Sequence, residues 1–370
     1  MAQALKDLMG PAAVGRLGDQ LSGGASSFER DEFVATAIDG LEALELKARV
    51  AHVADVLAGF LPPAYPDALE MIVGTLGPAL EGTGDVAEAF EVWPLCQFVE
   101  ERGLDEPRLS LAALRELTQR FSAEFAIRPY LALHRDLTLG IIVRWLDDPS
   151  VHVRRLCSEG TRPRLPWGQA LKDFQADPTI TLFVLDALVD DPERYVQRSV
   201  ANHLNDHSRS HPDFVVATAA RWLEHRTDTR RWVVRHGLRR LVKEGHQGAL
   251  QLLGYGPPEI SNIRLRLSPT PVAVGDSFGI ELSLASGAST DQALLIDYAV
   301  HYRRKDGSLG PKVFKWAERE LVPGERLKIR KNQHFRHTST RRLNPGEHAI
   351  EVQINGQVVA RERFELLPEG

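Results

Sequence analysis

Apolar side chains recur every three or four positions over the first two thirds of the chain and every second position over the last third, which predicts helices followed by strands. Leu44, Leu46, Val50, Val53, Ala54 and Leu57 make one amphipathic helix, stopped by Pro62–Pro63. Ala68, Leu69, Ile72, Val73 and Leu76 make the next, ending near Gly77–Pro78. Another carries Phe90, Trp93, Phe98 and Val99 and closes at Gly103; a further one, expected over 110–126, puts Leu114, Leu117, Phe121 and Phe125 on one face. Residues 1–27 are weakly patterned, and Gly23–Gly24 with Ser26–Ser27 read as a loop.

The helical part repeats itself. A helix over 150–158 carries Val153, Leu156 and Cys157; the same register returns 43 positions later at Val196, Ser199 and Val200, and 38 later again at Val234, Gly237 and Leu238. Asp148–Pro149 and Asp191–Pro192 precede the first two copies, a helix start with proline in the first turn. Partner helices lie between, as with Ile180, Phe183, Val184, Ala187 and Leu188. Paired helices recurring at about 40 residues predict a HEAT-like α-solenoid with one extended concave face.

After Gly254, Gly256, Pro257 and Pro258, which read as a linker, the period changes to two. Ile263, Leu265 and Leu267 alternate, as do Ile280, Leu282 and Leu284; further runs span 294–302, 312–316, 326–330, 348–354 and 357–366. Asn355–Gly356 between the last two is a two-residue hairpin signal. About seven short strands predict an immunoglobulin-like sandwich. The expected division is therefore a solenoid over 1–254 and a β-sandwich over 259–370.

Charge adds what the pattern does not show. The net charge is -5, yet residues 1–110 hold 19 Asp/Glu against 7 Lys/Arg, residues 220–243 hold 8 Lys/Arg against 2 Asp/Glu, and residues 303–342 hold 13 against 4. Concentrated basic surfaces on a mildly acidic protein point to a polyanion. Arg231, Arg235 and Arg239 are four apart and are expected on one stripe; Arg154, Arg155 and Arg198 fall on the equivalent earlier helices, forming an arginine ladder suited to phosphates. Surface arginines on solvated faces would explain the same residues. In the sandwich, Arg303, Arg304 and Lys305, with Arg336, Arg341 and Arg342 of the Phe335–Arg342 loop, are the candidates for a groove or backbone. No apolar run approaches a membrane span, and no basic region followed by an apolar core opens the chain, so cytoplasmic residence is expected. Cys96 and Cys157 make neither a disulfide framework nor a cysteine zinc site, and His203 and His207 lack a compelling metal-ligand spacing; no metal and no cofactor is assigned.

The stretch Arg154–Trp167 concentrates candidate chemistry: a helix end, Glu159, Pro163 and Pro166, and the arginines 154, 155, 162 and 164. Gly160 is expected to end the helix by turning where other residues cannot. With Leu44–Arg49, Phe90–Pro94, Asn202–Asp206 and above all Ser158–Arg164, this stretch resembles the AlkC-type alkylpurine DNA glycosylases of the HEAT-like repeat superfamily, and the resemblance extends to the added immunoglobulin-like domain and spans nearly the whole chain. It implies hydrolysis of the N-glycosidic bond of cationic alkylated bases, notably 3-methyladenine and 3-methylcytosine, in duplex DNA, leaving an abasic site, with the base largely stacked. By the same resemblance Glu124, Glu159, Trp167 and Asp206 are the catalytic constellation; Arg162, Arg164 and His203 join Arg154 and Arg155 as expected DNA-binding residues.

The residue chemistry agrees. A cationic base leaves without a strong general acid, so ionised carboxylates beside an oxocarbenium-like sugar, and an indole face, address the barrier that remains. Glu124 could instead be a helix-end acid paired with Arg128, and Asp206 a loop acid capping the next segment. The whole could be a non-catalytic helical-repeat binder of nucleic acid or protein. A lyase using a lysine Schiff base is disfavoured because Lys172 is the first lysine after the motif. Double-stranded DNA is the expected partner of a monomer that needs no partner protein.

Overall fold

The computed structural model describes residues 5–82, 86–338 and 341–369. It divides into two compact units, the first running to Val215 and including Trp222–Gly237, the second taking Val216–Arg221 with everything from Leu238. Among the described residues no helix is long and apolar enough to cross a membrane.

The first unit is helical. Helices Leu46–Ala58, Tyr65–Gly74 and Trp93–Arg102 follow the predicted stripes. Residues 11–24, expected as weak pattern and loop, are also a helix, with Val14, Leu17 and Leu21 fully buried at helical spacing. Four glycines dilute that stripe. The helix expected over 110–126 stops at Leu117. The Thr118 hydroxyl accepts the Ala123 amide at 3.4 Å, turns continue to Ile127, and Pro129 opens the next helix, Arg128–Leu133. That break carries Phe121, Glu124 and Phe125 out of helical register.

The repeat register is the core register. Helices Val151–Gly160, Arg194–His207 and Asp228–Gly237 pack in succession, and Val153, Leu156, Cys157, Val196, Val200, Val234 and Leu238 are fully buried. Two links recur between copies. The first is cation–π: Arg155 sits 4.8 Å from the Tyr195 ring and Arg194 4.0 Å from Trp232. The second uses the Asp-Pro starts. Asp148 accepts the Ser150 amide and an Arg115 guanidinium, and Asp191 accepts the Glu193 amide and Arg154. Each aspartate thus orders a helix start and ties it to the preceding copy.

The second unit begins with two short helices, Arg239–Lys243 and Gln247–Leu252. Eight strands follow: β1 (Ile260–Ser268), β2 (Val272–Ala273), β3 (Ser277–Ser286), β4 (Gln292–Arg303), β5 (Leu309–Leu321), β6 (Arg326–His334), β7 (Gly346–Ile354) and β8 (Gln357–Leu367). They form sheets ordered β1-β3-β6 and β2-β8-β7-β4-β5, antiparallel except for the β2–β8 pair. Phe278, Phe335 and Phe364 meet in the core between the sheets with centroids 4.8–5.2 Å apart. The Asn355–Gly356 turn takes positive φ at both residues, 48° and 75°, as a primed hairpin turn requires. The Asn355 side chain accepts the Leu295 amide and donates to the Ala293 and Gly256 carbonyls. Leu250, Tyr255 and Leu295 form a small core of their own, so the last helices belong with the sandwich and the expected boundary at Gly254 falls inside the second unit.

Candidate active site

Glu159 lies in the last turn of Val151–Gly160, where two successive copies of the repeat face one another. Its Oε1 accepts from Arg162 Nη1 at 2.6 Å and its Oε2 from Ser199 Oγ at 2.6 Å. Burial raises the pKa of this carboxyl, but Arg155, Arg162 and the Ser199 hydroxyl outweigh it and hold the group below the usual carboxylate range. Arg155 Nη2 lies 2.9 Å from Glu124 Oε2 and 3.7 Å from Glu159 Oε1. Ser122 Oγ donates to Glu124 and accepts from Arg155. Arg162 in turn donates to both oxygens of Asp206, at 2.8 and 3.1 Å. Glu124, Arg155, Glu159, Arg162 and Asp206 thus alternate in sign along one row.

Two expectations change here. Glu124 pairs with Arg155, not with Arg128, and Asp206 lies inside the helix that ends at His207, not beyond it. A carboxylate in that last turn is disfavoured by the helix dipole, and the two-point bond from Arg162 offsets this.

Arg128 supports the loop from below. Fully buried, it donates to the carbonyls of Gly160, Arg162 and Gln169 at 2.6–2.8 Å. Burial, then the nearby Arg162, bring its pKa down to about 10. Gly160 is the last helical residue, not a left-handed turn; the requirement for glycine is packing, since a Cβ there would lie 2.6 Å from Ile127 Cγ2.

These groups border a pocket of about 440 Å³. Glu124, Glu159 and Trp167 all line it; Asp206 does not, and stands beyond Arg162. An aromatic wall completes it: Trp93 stacks on Phe121 and on Phe125 with centroids 5.4 and 5.6 Å apart, and Phe90 meets Trp93 edge-on. These rings were expected only as core positions, and helical spacing alone does not separate a core ring from a pocket ring. Trp167 stands at the rim, 64% exposed, with φ +64°. A bulky residue in that region costs about 1–3 kcal/mol and persists only where its surroundings hold it.

Lys47, inside the Leu44–Arg49 stretch but given no role by the sequence, reaches the rim of the site. Its Nζ donates at 2.9 Å to the carbonyl of Trp167, 120 positions away in sequence, and lies 5.2 Å from the Phe125 ring. Counting lysines along the chain, which singles out Lys172, passes over this amine.

The basic candidates divide. Arg155 and Arg162 are parts of the pocket. Arg154 is committed to Asp191 and to the Asp148 and Pro149 carbonyls, which makes it a pin between copies. Arg164 donates to Ser210 Oγ, and Arg198, Arg231, Arg235 and Arg239 are exposed. The expected stripe is interrupted: Arg231 and Arg235 lie on Asp228–Gly237, while Arg239 opens the next helix in the second unit. In the sandwich Arg304, Lys305, Arg336 and Arg342 are exposed, Arg303 is half-buried, and Arg341 lies 4.4 Å from the Tyr302 ring. Ser339 and Thr340 of that loop lie outside the described residues.

His203 is not presented to a ligand. It is fully buried, bonded to the Ser158 carbonyl and Thr181 hydroxyl, and stacked on His207 at 5.4 Å. Burial holds the His203 pKa well below its usual value and brings His207 down to about 4. An unfolded chain binds these protons at higher pH than the folded one, so acid favours unfolding. For His207 the stability is full above the ordinary histidine value of 6.5 and is lost as pH falls toward 4, by about 1.4 kcal/mol per unit, and His203 acts in the same direction. Urea midpoints should therefore drop between pH 7 and 5, and His207→Leu should flatten that drop; an equal drop in both proteins would place the acid sensitivity elsewhere.

Comparison with known proteins adds three findings. Residues 262–368 match the family described as the C-terminal Ig-like domain of the uncharacterised protein YhaZ. Over 356 residues, 96% of this chain and 97% of the relative, the chain is 32% identical to the uncharacterised protein YhaZ of Bacillus subtilis strain 168. It superposes with a TM-score of 0.89, at 34% identity over 98% of this chain and 99% of the other, on the Pseudomonas fluorescens alkylpurine DNA glycosylase AlkC bound to DNA containing an abasic-site analogue.

Proposed function

The chain belongs to the AlkC family of HEAT-like repeat alkylpurine DNA glycosylases, and from that membership we propose that it hydrolyses the N-glycosidic bond of cationic alkylated bases, 3-methyladenine and 3-methylcytosine among them, in duplex DNA. The observation that carries the reading is one pocket in which two carboxylates, Glu124 and Glu159, face an aromatic wall beneath an exposed tryptophan. A positively charged base is already a good leaving group. The remaining barrier is positive charge on the deoxyribose, which Glu159, kept ionised by Arg155 and Arg162, opposes from a site largely closed to water. Glu124 is the more open of the two, with 16% of its side chain exposed, and orients the attacking water. Trp167 and the Trp93 wall attract the cationic base by cation–π contact, worth about 0.5–2 kcal/mol. Asp206 acts at one remove, by holding Arg162. Catalysis on a base that stays largely stacked, by a monomer without cofactor, completes the reading.

Release of methylated bases from methylated duplex DNA, with abasic sites appearing in equal amount, tests it. Hydrolysis leaves no covalent adduct under borohydride, whereas a trapped adduct that disappears in Lys47→Met would make the protein a lyase. Binding without base release would leave a non-catalytic repeat protein.

Exposed Arg235 should contact phosphate. Arg235→Ala should weaken methylated and undamaged duplex alike and reduce the slope of log K against log salt by about 0.9. An unchanged slope would place Arg235 off the DNA.

A further inference from the structure

Among the structure's unassigned features, the Lys47–Trp167 contact joins the first helices to the rim of the pocket. Lys47 stands on a fixed base. The neighbouring Arg49 is buried and donates to the Leu44, Lys6 and Met9 carbonyls, which ties down the start of Leu46–Ala58. From there the Lys47 ammonium stands over the Phe125 ring and donates to the Trp167 carbonyl. Trp167 needs such a hold. Its φ is +64° and its indole is largely exposed, so little side-chain burial keeps the backbone in that conformation. Three bonds do so: Gly168 N–H to the Leu165 carbonyl at 3.1 Å, Arg128 to the Gln169 carbonyl, and Lys47 to Trp167 itself. Of these three, the last acts on the Trp167 carbonyl itself, and it comes from the distant helix Leu46–Ala58.

We propose that Lys47 is a positioning residue, whose ammonium holds the Trp167 peptide so that the indole stands over the pocket. The inference rests on the glycosylase reading, in which Trp167 faces the base or sugar. Lys47 acts as a charged donor, and no bond to it forms or breaks.

The test is a double-mutant cycle on the full chain, read as single-turnover excision at saturating enzyme. Lys47 is exposed, so Lys47→Met, which keeps an unbranched side chain and removes the charged donor, should remain folded. It is expected to slow excision about fivefold to tenfold, with Lys47→Arg restoring most of the rate. Once Trp167→Ala has removed the indole, adding Lys47→Met should cost nothing more. Amide exchange of residues 163–169, followed by mass spectrometry without DNA, should quicken in Lys47→Met. Rate reductions that multiply in the double variant would overturn the proposal, as would unchanged exchange in Lys47→Met. So would an intact saturated rate with a salt slope lowered by about 0.9, which would make Lys47 a phosphate contact. If the unaltered protein releases no base, the glycosylase reading fails, and the exchange measurement still decides whether Lys47 anchors the turn.

Discussion

Glu159→Gln is expected to lower single-turnover excision about 10²–10³-fold while leaving duplex binding in place. The amide keeps the shape but removes the charge proposed to oppose the developing sugar cation. It also leaves two buried guanidiniums with less to face. Neither is stranded: Arg155 retains Glu124 and Arg162 retains Asp206. The stability cost should accordingly be about 1–3 kcal/mol rather than the larger penalty of an orphaned buried charge. A lower melting temperature in a protein that still folds and binds is therefore part of the expected result, and excision must be measured well below it. Glu124→Gln should cost less on both counts, because Glu124 is the more exposed acid and Arg155 then still lies 3.7 Å from Glu159. A Glu159→Gln rate within threefold of the unaltered protein at saturating enzyme would remove Glu159 from the chemistry.

Much of this architecture was legible from spacing. Val153, Leu156 and Cys157 and their two echoes mark the buried faces of three successive helices, because only residues on the packed side must be apolar or small in each copy. The strand runs were equally plain, and Asn355–Gly356 announced its turn through the two residues that most readily take positive φ. Faces without an apolar stripe were harder to read. Arg154 and Arg155 are adjacent in sequence and nearly a third of a helical turn apart, so one pins Asp191 and the other enters the pocket. His203 was read as presented, although its position, four residues before the equally buried His207, belongs to the packed side.

The site itself was legible only where it is local. Arg155, Glu159, Arg162 and Trp167 lie within thirteen positions and meet at one pocket, so a single stretch of sequence displays them together. Glu124, Phe121 and Phe125 are placed by the helix break after Leu117, and Trp93 comes from an earlier helix, so no one stretch displays them together. Arg128 and Lys47 reach the same loop from 41 and 120 positions away and bind backbone carbonyls, which every residue possesses. No side-chain pattern can mark such a partner: Arg128 stands outside the motifs, and Lys47, although inside Leu44–Arg49, has no neighbour in sequence that indicates which carbonyl it meets.

Deleting the second unit should weaken duplex binding at least tenfold and abolish most excision at physiological salt. The reason is electrostatic. Residues 303–342 hold 13 Lys/Arg against 4 Asp/Glu. Among the described residues, Lys315 and Lys328 find carboxylates, but Arg303, Arg304, Lys305, Arg336, Arg341 and Arg342 enter no ion pair. Clustered like charge opposes the folding of a small sandwich, so its presence argues for a polyanionic partner. Every phosphate that the protein no longer neutralises should lower the salt slope by about 0.9, and removing this unit should lower it by several such steps. The cut belongs after Gly237, the last residue of the first unit; it removes the second unit from Leu238 onward and leaves its Val216–Arg221 within helix Pro212–Leu223. A cut after Gly254 would keep Leu250 and remove Leu295, its core partner, exposing a side chain whose burial is worth about 1.5–3 kcal/mol. Every residue lining the pocket lies between Phe90 and Tyr195, inside the first unit, so the shortened protein should retain the pocket and lose chiefly its hold on DNA. Excision should then recover in part at low salt and high enzyme concentration. A charge-reversed full chain, Arg336→Glu with Arg341→Glu and Arg342→Glu, should move in the same direction by a smaller amount. Binding, salt slope and excision unchanged by the deletion would assign the basic surface to some partner other than DNA.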